Sequence, residues 1–301
     1  MPGMISGARQ FVVPPHQVPR FSETTGHMMN LKYGAALLCV LTLAACGPTS
    51  EHSPPRVTDI QAKNLFYKVQ TTFTFLGDGL VFGLRANIPH CSQQVLAAAS
   101  INEQAIACTL TAVGDIKVDA LNEAGDVIFS KTFSVPPPTV VLTTSSGVIV
   151  AALDPAAAPN TVDNFLAYVQ SGSYTNSLFH RVIPNFVIQG GGFTSGLIPL
   201  TGLRSPIAIE SKNGLQNLRG SLAMARTSDP NSATSQFYFN LVDNPSLNYV
   251  SDLSPGYTVF GKITQGLDVM DAIGTVPTTT VNGQADVPVS EVVVLKAVRT
   301  Q

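Results

Sequence analysis

The sequence predicts a mainly β protein, two β domains in series, and three observations carry the prediction. Gly, Pro, Thr and Val are plentiful, whereas long runs of helical periodicity are few. Short apolar runs bounded by turn residues recur from Arg56 onward. A stiff proline run, "VPPPT" at Val135 to Thr139, separates two stretches of different style. A length of 301 residues suits two domains, and 45% hydrophobic residues can build a sizeable core. Only 12% of residues are charged and the net charge is -2, without any Lys/Arg cluster. That excludes a nucleic-acid surface, because no segment could neutralise several phosphates.

The first 45 residues are read as targeting sequence and set aside. Lys32 precedes an apolar stretch from Tyr33 to Ala45, too short to span a bilayer comfortably, and small residues lead into a cysteine. The motif "LAAC", Leu43 to Cys46, resembles the lipobox of bacterial lipoproteins. That resemblance implies cleavage before Cys46 and a lipid anchor on it, on the periplasmic side of the cell envelope. Gly47 stands where the inner-membrane retention signal has Asp, so the outer membrane is expected rather than the inner. The alternatives are a plain signal peptide with an incidental cysteine and an uncleaved anchor. Initiation at Met28 or Met29 would make residues 1–27 a spurious extension. Cys39 lies in the signal, which leaves Cys91 and Cys108 in the exported chain. An even pair in an oxidising compartment reads as a disulfide, two separately buried thiols being the alternative. No metal site is expected, since His90 stands alone beside them.

Residues 46–55 are polar and proline-rich, a tether. Residues 56–135 carry the runs "FYKVQTTFTFLG", "LVFGLRANI", "IACTLTAVGDIKVDALN" and "DVIFSKTFSV", with turn signals "GDG" and "EAGD" between them. A small antiparallel β-sandwich is expected, immunoglobulin-like in its spacing but lacking the buried Trp of a true immunoglobulin domain. The two cysteines are expected to pin one long connection. No chemistry is legible here, and spacing, packing or partner contact are the roles left to it.

Residues 136–138 form the linker, and residues 139–301 the second domain. "TVVLTTSSGVIVAALDP" reads as a hairpin around Ser-Ser-Gly. "NTVDNFLAYVQSG" reads as a helix with Val162, Phe165, Leu166 and Val169 on one face, Asn160 as its cap and Gly172 as its stop. A second helix, "TQGLDVMDAIG", brings Leu267, Met270 and Ile273 together and ends at Gly274. Further strands include "YTVFGKI" and "EVVVLKAV". Many strands with two helices far apart in sequence fit a closed barrel capped by helices.

Within "FHRVIPNFVIQGGGF", Pro184-Asn185 signals a turn, so the flanking arms should pair antiparallel. Alternation groups Arg181 with Phe179 and Ile183, and Gln189 with Val187, so guanidinium and carboxamide can share one side. The bland alternative is an edge arginine reaching water. "GSLAMARTSDPNSATSQFYFNLVDN" adds two apolar runs, room at Ala223 and Ala225, and the rings of Phe237, Tyr238 and Phe239.

Together "FHRVIPNFVIQGGGFT", "GSLAMAR" and "SATSQFYFN" make the second domain similar to the cyclophilin-type peptidyl-prolyl isomerases, close to their bacterial periplasmic branch. The resemblance covers Thr139 to Gln301 and implies an eight-stranded antiparallel barrel with two capping helices and isomerisation of Xaa-Pro bonds. It implies Arg181 as the catalytic arginine, Phe186 as a wall of the proline pocket and Gln189 as their polar partner. Ala225, Arg226, Thr227 and Gln236 would line the groove for residues preceding proline, and Val187, Tyr238, Leu247 and Tyr257 would complete the pocket. Val187 stands where the family commonly has Met, and Tyr238 where it has Phe, so a reshaped or more polar pocket is expected. Ser246 replaces the aromatic residue that contacts cyclosporin, so weak binding of that drug is expected.

Amide rotation must give up C–N resonance, a barrier of about 18–20 kcal/mol, and it needs neither nucleophile nor metal. A donor aimed at the nitrogen binds the twisted state better than the planar one. No cofactor is therefore expected, the partners are proline-containing polypeptides of the envelope, and the chain is expected to be monomeric. A serine hydrolase fails because His180 is the one histidine of the second domain and no G-x-S-x-G is present. A phosphate loop at "GGGFTS" fails because Ser195 occupies its third glycine position. His180 is expected to be a structural hydrogen-bonding residue rather than a base. A proline-peptide binding or chaperone module with little turnover is the rival function.

Overall fold

Alternating burial on short strands dominates this computed structural model, which describes residues 52–300. The leader, the start at Met28 or Met29 and the lipid site at Cys46 lie outside the described residues.

Seven strands come first: β1 (Arg56–Lys63), β2 (Gln70–Asp78), β3 (Arg85–Asn87), β4 (Cys91–Ala99), β5 (Glu103–Leu110), β6 (Gly114–Leu121) and β7 (Val127–Val135). They form one sheet ordered β1-β2-β5-β4 and another ordered β3-β6-β7. This is the strand order of a constant-type immunoglobulin sandwich. Ile60, Phe73, Phe75, Leu110 and Val118 fill the space between the sheets. In place of Trp, the rings of Phe73 and Phe133 meet edge-on at 5.5 Å.

The structure revises several expected strands. β1 and β4 fall outside the apolar runs read from the sequence, and β4 shows why: its side chains are exposed on both faces apart from the half-buried Cys91, so no alternation marks it. The run "IACTLTAVGDIKVDALN" breaks before Gly114, at φ +90°, into strands of different sheets. The disulfide Cys91–Cys108 joins neighbouring strands β4 and β5, Cα atoms 5.6 Å apart, rather than a long connection.

After the prolines come β8 (Thr139–Thr144), β9 (Gly147–Leu153), α1 (Pro159–Gln170), β10 (Ser177–Ile183), β11 (Val187–Thr194), β12 (Ile198–Pro199), β13 (Ser221–Met224) and β14 (Phe237–Asn240). β15 (Val259–Gln265), α2 (Leu267–Gly274), β16 (Thr278–Val281), β17 (Gln284–Pro288) and β18 (Val292–Arg299) complete the chain. Pairing runs β10-β18-β8-β9-β15-β13-β14-β11, and β11 returns to β10, which closes an eight-stranded antiparallel barrel. β12 pairs antiparallel beside the end of β11, and β16–β17 is a separate hairpin. Inside, Phe165 of α1 packs on Tyr174, Phe237 and Phe260 at centroid distances of 5.2, 5.4 and 5.2 Å. Each such buried ring contributes about 1.5–3 kcal/mol.

Helix α1 buries Val162, Phe165, Leu166 and Val169 as its periodicity requires. It ends in a Schellman motif, with Ser173 N–H donating to Tyr168 O and Gly172 N–H to Val169 O, and Gly172 at φ +73°. Its start differs from expectation. Asn160 lies inside the helix, and the orphan amides are capped from 50 residues away by Glu210, which accepts from Asn160 N (3.1 Å) and Thr161 N (2.8 Å). A carboxylate at that end also complements the helix dipole. In α2, Met270 and Ile273 are buried, but Leu267, at the helix start, is exposed.

Where the β1–β2 loop meets the barrel, Tyr67 is buried and its hydroxyl donates to Asp163 Oδ1 at 3.0 Å. Lys68 pairs with the same carboxylate, and Arg299 donates to the Tyr67 carbonyl. Val113 packs against both cores. Glu210→Ala should lower stability by about 1–2 kcal/mol through loss of the cap, read as a fall in the urea midpoint with unchanged m-value.

Candidate active site

The turn between β10 and β11 holds Pro184 at its second position and Asn185, at φ +58°, at its third, and Phe186 N–H donates to Ile183 O at 3.1 Å. This is a type II turn with a residue that tolerates the left-handed region. It sets the register Ile183↔Val187, Val182↔Ile188, Arg181↔Gln189. Directly opposed residues share a face, so Arg181 and Gln189 stand side by side. Phe179, however, pairs with Gly190, which leaves His180 as an extra residue, a β-bulge. The bulge corrects the expected grouping: Phe179 turns into the core at 1% exposure, while the Arg181 side chain remains 40% exposed.

Beside this pair, Val187, Ala223, Tyr238 and Val259 form a small buried cluster, with Phe186, Ala225, Leu247 and Tyr257 packed on it. A cavity of about 350 Å³ opens there. Arg181, Phe186, Val187 and Gln189 line it from the β10–β11 arm, and Ala225, Arg226, Gln236, Tyr238, Leu247 and Tyr257 line it from the other side. Thr227 is the exception among the expected residues: it does not line the cavity, because its hydroxyl and amide bond Ser232 within an exposed loop. His180, Phe193 and Gln284 line the cavity without having been singled out for it.

The extra hydroxyl of Tyr238 is taken up behind the pocket wall. It donates to Asn217 Oδ1 at 2.8 Å in a buried network. Asn217 Nδ2 donates to Leu247 O at 3.0 Å, Asn240 Nδ2 to Ser221 Oγ at 2.8 Å, and Asn244 Nδ2 to Phe186 O at 3.0 Å. The amides thus hold the backbone behind two pocket walls. Burial raises the Tyr238 pKa well above its ordinary value, so the phenol stays neutral.

On the other side, Arg226 donates from Nε to Gly256 O at 3.0 Å and lies over the Tyr257 ring, 4.6 Å from its centroid. Gln189 Nε2 donates to Gln236 Oε1 at 2.8 Å. The glycine run makes room for that pair: a Cβ on Gly192 would lie 2.6 Å from the Gln236 side chain. His180 is 2% exposed and stacks edge-on against Phe193 at 4.8 Å. Burial lowers its pKa to about 4 from an ordinary 6.5. The sequence leads one to expect a structural hydrogen-bonding residue here; the imidazole is buried in the wall, and its Nδ1 has no hydrogen-bond partner.

The hairpin β16–β17 also reaches the site. Gln284 lines the cavity, and Asp286 Oδ2 lies 3.5 Å from Arg181 Nε. The sequence carried a signal for it that went unread, the Asn282-Gly283 dipeptide of a two-residue hairpin, with φ of 51° and 81°. Among the described residues no group of three or more His, Cys, Asp or Glu could hold a metal.

Comparison with known proteins converges on one family. The family model described as cyclophilin type peptidyl-prolyl cis-trans isomerase/CLD matches residues 139–299. The peptidyl-prolyl cis-trans isomerase cyp18 of Streptomyces antibioticus is 52% identical over 153 residues, covering 50% of this chain and 92% of that protein. Peptidyl-prolyl cis-trans isomerase B of Escherichia coli is 48% identical over 139 residues, 46% of this chain and 84% of its own length. Isomerase A of Dickeya dadantii is 46% identical over 151 residues, 50% of this chain and 78% of its own. With the closed eight-stranded barrel and a cavity edged by Arg181 and Gln189, these matches assign the chain to the cyclophilin-type peptidyl-prolyl cis-trans isomerases.

Proposed function

We propose that the barrel isomerises Xaa-Pro bonds at the Arg181 edge of the cavity, in exported polypeptides whose folding waits on proline, from a periplasmic position held by lipid on Cys46. The observation that carries the catalytic part is the register of β10 on β11, which sets Arg181 opposite Gln189 at the edge of a cavity with both apolar and polar walls. The proline ring fits against Phe186, Val187 and Tyr238. The guanidinium, charged at any working pH, donates toward the prolyl nitrogen as it pyramidalises and regains its lone pair. That interaction is stronger in the twisted state than in the planar one, so it lowers the barrier rather than only binding the peptide. Gln189 and Gln236, bonded to each other, receive the backbone on the other side of the bond. Proline-containing envelope polypeptides are the substrates on this reading, and the protein works as a monomer.

Export and anchoring are supported by "LAAC" at Leu43 to Cys46 and by the Cys91–Cys108 disulfide, which suits an oxidising compartment. The sandwich acts as a spacer. Arg56 and the Tyr67–Asp163 contact flank β1, whose eight residues at about 3.4 Å each span roughly 27 Å along the strand.

In exchange NMR on a short Xaa-Pro peptide, the full chain should accelerate isomerisation, and Arg181→Ala should lose on the order of a hundredfold or more, as for removal of one preorganised donor. Binding of the peptide without acceleration by the parent would make the domain a proline-peptide binding module instead. Activity should be flat from about pH 6 to 9, because no group with a pKa there takes part. Stability should not be flat. The native state keeps His180 neutral down to about pH 4 while the unfolded chain protonates it near 6.5, so its contribution is intact above about pH 6.5 and is lost as pH falls toward 4. The loss is on the order of 3 kcal/mol, and a native His180 resonance titrating near 6.5 would contradict the assignment. Radiolabelled palmitate should enter the parent expressed in a bacterium and not Cys46→Ser; equal labelling, or none in either, would remove the anchor.

A further inference from the structure

An arginine on a half-exposed strand has many rotamers, and catalysis by one donor needs few of them. Gln189, the residue opposite, gives its amide N–H to Gln236. The group beside the guanidinium comes from 105 positions later in the chain: Asp286 Oδ2, 3.5 Å from Arg181 Nε. The hairpin that brings it there is irregular at this residue. Val281 pairs with Gln284 and Thr279 with Val287, so Thr280 alone on β16 faces Ala285 and Asp286 on β17. Two residues against one is a bulge, and Asp286 sits in the left-handed region at φ +64°. Bulges of this kind re-aim a side chain. Here the bulge in β17 aims the carboxylate, and the bulge at His180 in β10 turns the arginine toward it.

From this geometry we infer that Asp286 is a positioning residue for Arg181: its carboxylate engages the Nε edge of the guanidinium, fixes the guanidinium plane and leaves the Nη groups to face the peptide. The inference rests on Arg181 being the donor of the isomerase reaction. It is not an inference about folding, since the side chains are 40% and 37% exposed and such an ion pair contributes little to stability. The pair also explains the use of a carboxylate rather than an amide at the bulge. Either side chain tolerates a left-handed backbone, but only the charged one restrains a cation over 3.5 Å.

The test compares the full chain with Asp286→Asn, Arg181→Ala and the double variant, each assayed for kcat and KM on one Xaa-Pro peptide. Asparagine keeps the shape and the backbone preference and removes the charge. The expected result is a fall in kcat of roughly tenfold, less than the ~hundredfold that a 1 Å misplacement can cost, with KM and the thermal midpoint unchanged. In the Arg181→Ala background the same substitution should do nothing, which makes the two effects non-additive. The Arg181 Nε–H resonance should broaden in Asp286→Asn relative to the parent. An unchanged kcat, an effect confined to KM, or an equal effect without the arginine would overturn the inference while leaving Arg181 in its role. Full activity of Arg181→Ala would instead remove the reading beneath it.

Discussion

The pairing of β10 with β11 is the constraint on which the rest depends. Those two strands close the barrel, and the same hydrogen bonds set Arg181 against Gln189. A slip of one residue in this pair would send Val182 and Ile188, both buried, toward solvent and bring Arg181 inward. The cost of exposing that apolar set is what keeps the register, so the position of the guanidinium follows from core packing. The bulge at His180 adds an exception: it lets Phe179 and Val182 both face the core on a strand whose Arg181 does not.

Behind the pocket, polarity is used for support. Asn217, Asn240 and Asn244 are nearly or fully buried, and their hydrogen bonds reach the carbonyls of Phe186 and Leu247. Such a network stabilises only when its members are satisfied. Tyr238 joins it through its hydroxyl and offers the pocket an apolar ring. Glu210 works the same way at a distance, tying the loop after β12 to the first turn of α1. In a chain with 12% charged residues, two arginines, Arg181 and Arg226, line the cavity.

The sandwich meets the barrel through the buried Tyr67, the Asp163 carboxylate that Tyr67 and Lys68 share, the Arg299 bond to the Tyr67 carbonyl, Val113 packed against both cores, and a three-proline link. That contact is partly apolar and partly polar. The sandwich contributes no group to the cavity, whose lining comes entirely from residues 180–284.

By itself the sequence determined the β class, the hairpin at Ser-Ser-Gly, the apolar face of α1 and most of the cavity residues, because turn chemistry, periodicity and a specific motif are local properties. It also held Arg181 and Gln189 within one short arm, where alternation and one turn suffice to bring them together. It could not reveal β4, which has no buried face, nor the cap of α1, which comes from Glu210. It gave no sign that Phe179 and Arg181 part company, since a bulge is settled by how two strands share hydrogen bonds. Asp286 was out of reach for the same reason. Its approach to Arg181 depends on the closed barrel, a bulge and a hairpin acting together, and contacts across 105 residues are decided by the packing of the whole and not by any stretch of it.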